Sequence, residues 1–128
     1  MKQFMRIGAF AKKFDIPVST VRYYIQRGFI VPEKKNGQFL FDEYSISDMQ
    51  RIDAWKRMHF SLNEIHELIS LYRKYPNSVV EQETERMQIY RNKRDELIRL
   101  KEENETSCYR VETILHQLPH DQKTHMGG

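Results

Sequence analysis

Between Pro76 and Pro119 the chain carries neither glycine nor proline. An unbroken run of about forty residues, rich in Glu, Lys and Arg, reads as one long helix over roughly 78–118. A walk of alternating four- and three-residue steps along it meets Val80, Glu83, Met87, Tyr90, Arg94, Leu97, Lys101, Asn104, Cys108, Val111, Leu115 and Leu118. Val80, Met87, Tyr90, Leu97, Cys108, Val111, Leu115 and Leu118 suit a packed seam, and the four others interrupt it. A helix this long and this charged needs a second helix against its stripe. The rest of a 128-residue chain is too short to supply one, so the expected partner is a second copy. Residues 76–119 are therefore expected to dimerise, and 120–128 to form a loose polar tail.

The first part of the chain has a different character. Residues 1–41 hold eight Lys and Arg against Asp15 and Glu33, whereas residues 42–128 hold thirteen basic groups against sixteen acidic ones. A basic lobe on a neutral-to-acidic remainder is the footprint of a nucleic-acid binder. Charged residues make up 30% of the chain and mean hydropathy is −0.75, which argues against a large buried enzyme core. The apolar runs are too short to span a bilayer, and the start lacks the apolar stretch of a secretory leader. A cytoplasmic location with no membrane partner is expected. The single cysteine excludes an internal disulfide and clustered-cysteine zinc modules.

Hydrophobic spacing organises the basic lobe. Ile7, Phe10, Ala11 and Phe14 lie on one face of a short helix, which Asp15-Ile16-Pro17 interrupts. Ser19 is the expected N-cap of a second helix of about eight residues, and Gly28 ends it in the left-handed conformation. Helix, short turn, helix is the pattern of a helix-turn-helix. Phe29-Ile30-Val31 and Gln38-Phe39-Leu40-Phe41 read as two strands around an Asn36-Gly37 turn, a basic wing containing Lys34 and Lys35. A third helix is expected over roughly 45–58, with Ile46, Met49, Ile52, Trp55 and Met58 inward and a capping box at Ser47-Asp48-Met49-Gln50. Ser61-Leu62-Asn63-Glu64 is a stronger box opening a fourth helix, whose stripe is Leu62, Ile65, Leu68, Ile69 and Tyr72.

Four motifs in this order are specific. Arg6-Ile7-Gly8-Ala9-Phe10-Ala11, Val18-Ser19-Thr20-Val21-Arg22-Tyr23-Tyr24, Gly28-Phe29-Ile30-Val31-Pro32 and Phe60-Ser61-Leu62-Asn63-Glu64-Ile65 resemble the MerR family of bacterial transcriptional regulators. The resemblance covers residues 1–75 and implies a mainly α fold: a winged helix-turn-helix DNA-binding domain with a β-hairpin wing, then a long antiparallel coiled-coil dimerisation helix. It also implies a homodimer that distorts double-stranded promoter DNA, so that RNA polymerase is engaged indirectly. Two departures stand out. The family's usual Tyr-Arg pair after Asn-Gly is Gln38-Phe39 here, and about three extra residues, ending near Ser45, separate wing from third helix.

On the second helix Val21, Tyr24 and Ile25 face inward, Thr20, Tyr23 and Arg27 face away, and Arg22 sits at the edge within reach of phosphate. The candidate DNA-binding residues are Arg6, Ser19, Thr20, Arg22, Tyr23, Arg27, Lys34, Lys35, Gln38 and Phe39, with the two lysines standing in for the missing wing arginine. The alternative is a coiled-coil interaction module whose basic lobe binds without sequence preference. His116, His120 and His125 read as surface residues rather than metal ligands; His59, His66, Met49, Trp55 and Met58 read as packing residues. No catalytic motif, metal site or cofactor is expected, and the sequence does not name a small-molecule inducer. In an antiparallel pair over 78–118 the dyad crosses near residue 98, which puts the two Cys108 thiols roughly 30 Å apart.

Overall fold

A computed structural model describes residues 3–74 and 79–126, with side chains described over 3–74 and 84–118. The chain divides into two compact units, Met1–Gln82 and Glu83–Gly128. In the first unit the order is α1 (Ile7–Lys13), α2 (Val18–Gln26), β1 (Glu33–Lys35), β2 (Gln38–Leu40), α3 (Glu43–Arg57) and α4 (Leu62–Lys74). Helix α5 (Val79–Met126) then runs through the second unit.

The expected helix-turn-helix is present. Phe10 and Ala11 are the buried residues of α1, Val21 and Tyr24 those of α2. Around them pack Phe29, Ile30, Phe41, Met49, Ile52, Phe60, Ile65 and Leu68, all buried. Phe41, directly after β2, stacks on Phe10 with ring centroids 4.3 Å apart, and Phe14 meets Phe10 edge-on at 5.0 Å. A two-stranded ribbon is marginal alone, and this stack is what roots it. Burying one such ring contributes about 1.5–3 kcal/mol. A backbone bridge adds to it: Met5 N donates to Phe41 O at 2.9 Å and Phe41 N to Met5 O at 2.8 Å.

Helices α1, α2 and α3 end in the same way. Past the last helical turn a residue adopts positive φ: Asp15 (53°), Gly28 (77°) and His59 (67°). Its N–H and that of the next residue reach back to the helix. After α2, Gly28 N donates to Ile25 O (3.0 Å) and Phe29 N to Tyr24 O (2.9 Å). Asp15 and Ile16 repeat this on Lys12 and Ala11, and His59 and Phe60 on Lys56 and Trp55. This is the Schellman arrangement, in which the final carbonyls gain partners and the next apolar residue is turned into the core. Ile30 follows Phe29 inward, and Phe60 is itself buried.

Several expectations are corrected. Ser19 does not cap α2: the helix starts at Val18 with Pro17 as N-cap, whose carbonyl accepts from Thr20 N and Val21 N. Proline's fixed φ already suits a helix start, which leaves Ser19 exposed on the first turn. The first wing strand is Glu33–Lys35, not Phe29–Val31. The two-residue turn Asn36-Gly37, with φ of 53° and 76°, pairs Lys35 with Gln38, Lys34 with Phe39 and Glu33 with Leu40. Both positive φ values fit a type I′ hairpin. Helix α3 opens at Glu43 rather than 45, because the Asp42 carboxylate accepts from Tyr44 N and Ser45 N, both at 3.1 Å. The extra residues after the wing thus become the first turn of α3, and the Ser47 box is not used. Met58 lies past the end of α3 and is exposed, and Trp55 is half-buried.

The α4 box forms as expected: Ser61 N donates to Glu64 Oε1 (2.8 Å) and Glu64 N to Ser61 Oγ (3.2 Å). Its buried face is Ile65, Leu68 and Leu71; Tyr72 points outward. Tyr72 instead receives Arg51, whose Nη2 donates to its hydroxyl at 3.2 Å.

Helix α5 continues past Pro119 to Met126, so backbone expected to be a loose tail is helical as far as that residue. A proline removes one i to i−4 hydrogen bond and crowds that carbonyl, a penalty confined to one turn. Along α5, Val111, Ile114, Leu115 and Leu118 stay between 48% and 57% exposed in the single chain. Leu97, Leu100, Val111, Ile114, Leu115 and Leu118 fall within an arc of about 100°. Leu100 and Ile114 lie off the sequence walk, so the apolar face is wider than that walk implied. Met87 is half exposed, Tyr90 and Leu97 are partly covered, and Cys108 is exposed with its thiol 3.7 Å from Glu112 Oε1. Lys93, which the walk skips, is buried and donates to Glu96 Oε2 at 2.7 Å. The Val80 side chain and those of His120 and His125 lie outside the described residues.

Candidate nucleic-acid interface

The outward face of α2 follows from its inward one. With Val21 and Tyr24 buried, helical geometry turns Ser19, Arg22 and Tyr23 to solvent, while Thr20 sits half-buried at the edge. The Ser19 hydroxyl, the Arg22 guanidinium and the Tyr23 phenol then share one exposed surface, with the Thr20 hydroxyl at its margin. Such groups bond phosphate oxygens and base edges.

Arg27 is held more tightly than its position beyond α2 suggests. Its Nη1 lies 3.5 Å from the Tyr23 hydroxyl and its Nη2 donates to Asn63 Oδ1 at 3.4 Å. The guanidinium sits 5.9 Å from the Tyr23 ring centroid and 5.5 Å from that of Phe29. Arg27 therefore spans α2 and the first turn of α4 and orients Tyr23. In sequence Asn63 reads as filler inside a capping box, and the fold brings it to Arg27 from 36 residues away. Lys56 acts similarly from α3, its Nζ donating to the Tyr24 hydroxyl at 3.0 Å.

In the wing, Lys34 and Phe39 face each other across the two strands, with the ammonium 5.3 Å above the ring centroid. A cation over an aromatic face is attracted by the ring quadrupole, so Phe39 sets where the Lys34 charge stands. Successive side chains on a strand point to opposite faces. Lys35 and Gln38 therefore lie on the other side from Lys34 and Phe39, and the two lysines do not form one patch. All four positions are on the surface, Phe39 partly covered. Arg6, the N-cap residue of α1, is exposed and makes no side-chain cap bond.

A second polar cluster lies between α3, α4 and Phe29. Phe29, Asp48, Arg51, Trp55, Ile69, Tyr72 and Arg73 line a cavity of about 20 Å³, the space of one water molecule. Arg51 Nη1 pairs with Asp48 Oδ1 at 3.2 Å, and the Arg51 guanidinium lies 4.5 Å from the Tyr72 ring centroid. Burial pushes the Asp48 carboxyl above its ordinary range, while Arg51 and Arg73 act in the opposite direction. Among the described residues no three His, Cys, Asp or Glu side chains gather as a metal site would need. No helix among them is long and apolar enough to cross a membrane.

Comparison with known proteins agrees with this geometry. The chain is 37% identical over 70 residues to the HTH-type transcriptional regulator ZntR homolog of Haemophilus influenzae, a stretch covering 52% of this chain and 51% of that protein. It is 33% identical over 69 residues to the mercuric resistance operon regulatory protein of Pseudomonas fluorescens, covering 52% and 48%. The match spans about half the length of these relatives. In fold, it resembles a MerR family transcriptional regulator from Bacillus thuringiensis (TM-score 0.65, 15% identity, 90% of this chain and 99% of that one). A putative MerR family transcriptional regulator from Listeria monocytogenes is similar too (TM-score 0.70, 16% identity, 93% and 92%). Residues 5–71 match the family described as MerR HTH family regulatory protein, and the chain belongs to that family.

Proposed function

We propose that this chain is a sequence-specific DNA-binding transcriptional regulator that works as a homodimer. The observation that carries the reading is the face of α2 on which Ser19, Arg22 and Tyr23 are exposed, with Thr20 half-buried at its edge, in a unit that also carries the hairpin wing with Lys34 and Lys35. In this reading Thr20 meets base edges, and Arg22, Tyr23 and Lys34 meet phosphates. Arg6, Arg27, Lys35, Gln38 and Phe39 flank or support that surface. Family membership favours the same assignment. The half-exposed stripe from Leu97 to Leu118 favours dimerisation, since apolar side chains repeated along one helix face gain most from a matching helix. Residues 1–75 hold the DNA-binding part, and the dimerisation region expected over 76–119 is carried by α5, Val79–Met126, paired antiparallel.

Two such lobes, related by a dyad, would read the half-sites of a pseudo-palindrome. The dimer would distort promoter DNA and so act on RNA polymerase through the shape of the duplex rather than by contact. The test is selection of bound duplexes from a random pool, followed by competition with a scrambled duplex. A regulator prefers the selected duplex by ~10³ or more; equal affinities would instead support a nonspecific interaction module. Arg22→Ala should weaken binding to both duplexes and lower the salt slope by ~1. Thr20→Ala should alter sequence preference more than overall affinity. Sedimentation equilibrium giving a monomer at micromolar concentration would overturn the homodimer.

A further inference from the structure

Arg73 lies on the last turn of α4, outside the face assigned to DNA. Its Nη1 donates to the carbonyl of Gly28 and its Nη2 to the carbonyl of Phe29 at 3.3 Å. These carbonyls mark the joint of the unit's reading surface: Gly28 is the left-handed residue that stops α2, and Phe29 begins the path to the wing. A guanidinium presents its donors in a rigid planar fork, so one side chain fixes two consecutive peptide planes. Its charge also sits at the negative end of α2, where a cation is favoured. The Asp48 carboxylate on α3 feels the field of Arg73 and is itself tied to Arg51 and, through it, to Tyr72. Elements α3 and α4 thus meet the α2–wing joint around one residue.

We propose that Arg73 is a positioning residue of the DNA-reading surface: its forked bonds to Gly28 and Phe29 set the angle between α2 and the wing without touching DNA. This rests on the regulator reading above. A helix in one groove and a hairpin on the flanking backbone can both engage only if their separation is fixed. Nonspecific binding tolerates a loose joint, because the phosphate charge is spread along the whole duplex. Specific binding does not.

The experiment uses the full chain with Arg73→Gln and Arg73→Lys, the selected duplex and its scrambled counterpart. Affinities are measured over a range of salt, and urea midpoints are measured alongside. Arg73→Gln should lower affinity for the selected duplex ~10-fold, the scale of losing hydrogen bonds to a charged group. Affinity for the scrambled duplex and its salt slope should stay at the parent values. Arg73→Lys, which keeps the charge but not the fork, should lose selectivity too, to a smaller degree. Equal losses on both duplexes with the slope reduced by ~1 would make Arg73 a phosphate contact and overturn the proposal. A lowered urea midpoint with the parent's selectivity retained would make it a stability brace only, and would overturn it as well. If the parent itself failed to discriminate, the regulator reading would fall along with this inference; if the parent discriminates and the variants match it, the inference falls alone.

Discussion

The shared endings of α1, α2 and α3 set up a controlled exchange, because one backbone geometry is filled by three different residues: Asp15, Gly28 and His59. A left-handed conformation costs a residue bearing Cβ about 1–2 kcal/mol. Glycine escapes that strain but gives up about 0.5–1 kcal/mol more chain entropy on folding. Their difference predicts opposite signs at two sites. Gly28→Ala should destabilise by roughly 1 kcal/mol, and by strain alone, since a Cβ there meets nothing within 4 Å. His59→Gly releases the strain of a φ of 67° and should stabilise by about 0.5–1 kcal/mol on that account. Asp15→Gly should gain less, because a short polar side chain already tolerates this region. Urea titration at one fixed protein concentration measures all three, and the m-value should not change, so that the midpoint shifts report the balance of strain and chain entropy. In a unit of this size 1 kcal/mol moves the thermal midpoint by about 4–8 °C. A loss of stability in His59→Gly, or a neutral Gly28→Ala, would refute the strain argument.

Other outcomes follow from single sites. Asp48→Asn should stabilise the protein near neutral pH: burial raises the folded-state pKa, so the ionised carboxylate is a net burden above it. That advantage should shrink as pH falls through the folded-state pKa, where the parent carboxyl takes up its proton; thermal midpoints of both proteins across the acidic range check this. Ser61→Ala removes the hydroxyl that accepts from Glu64 N and should cost about 1 kcal/mol, measured by urea unfolding. Cys108→Ser should bind DNA like the parent. With α5 spanning Val79–Met126, an antiparallel dyad at its middle leaves the two thiols roughly 16 Å apart, nearer than sequence alone implied yet beyond the ~7 Å reach of a disulfide. Rapid, quantitative cross-linking on a non-reducing gel would overturn that register.

What could be read from the sequence was what short-range rules encode. The Gly28 stop, the Asn36-Gly37 turn and the Ser61-Glu64 box each depend on residues within a few positions of one another, and each formed as expected. Errors arose where two local solutions competed. Pro17 and Ser19 both suit a helix start, and Asp42 competed with Ser47; in each pair the earlier residue capped the helix. The apolar run Phe29-Ile30-Val31 looked like a strand, but its first two residues are drawn into the core by the turn before them, leaving the pairing to Glu33–Lys35. Tyr72 matched a helical stripe by spacing alone, yet the Arg51 side chain holds it outside. In the candidate site, the α2 face could be inferred because its complement, Val21 and Tyr24, is plainly apolar. Asn63 and Arg73 could not: their partners lie 36 and 45 residues away, and no periodicity announces such contacts.

The arrangement of the small cavity between α3, α4 and Phe29 has an optical consequence. Trp55 is the chain's one tryptophan, and it shares that cavity with Phe29, Tyr72 and the two arginines. Its indole is therefore a native fluorophore seated where α3, α4 and the α2–wing joint meet. Emission excited at the red edge of the absorption band reports this place alone, with no dye attached and no residue changed. Charged groups so near an indole displace its excited-state dipole energy, so a rearrangement of Arg51 or Arg73 should move the emission maximum. The second unit contains no tryptophan, which leaves its own tyrosines silent at that wavelength. Stopped-flow mixing with a duplex then tests whether the joint keeps its geometry when DNA arrives.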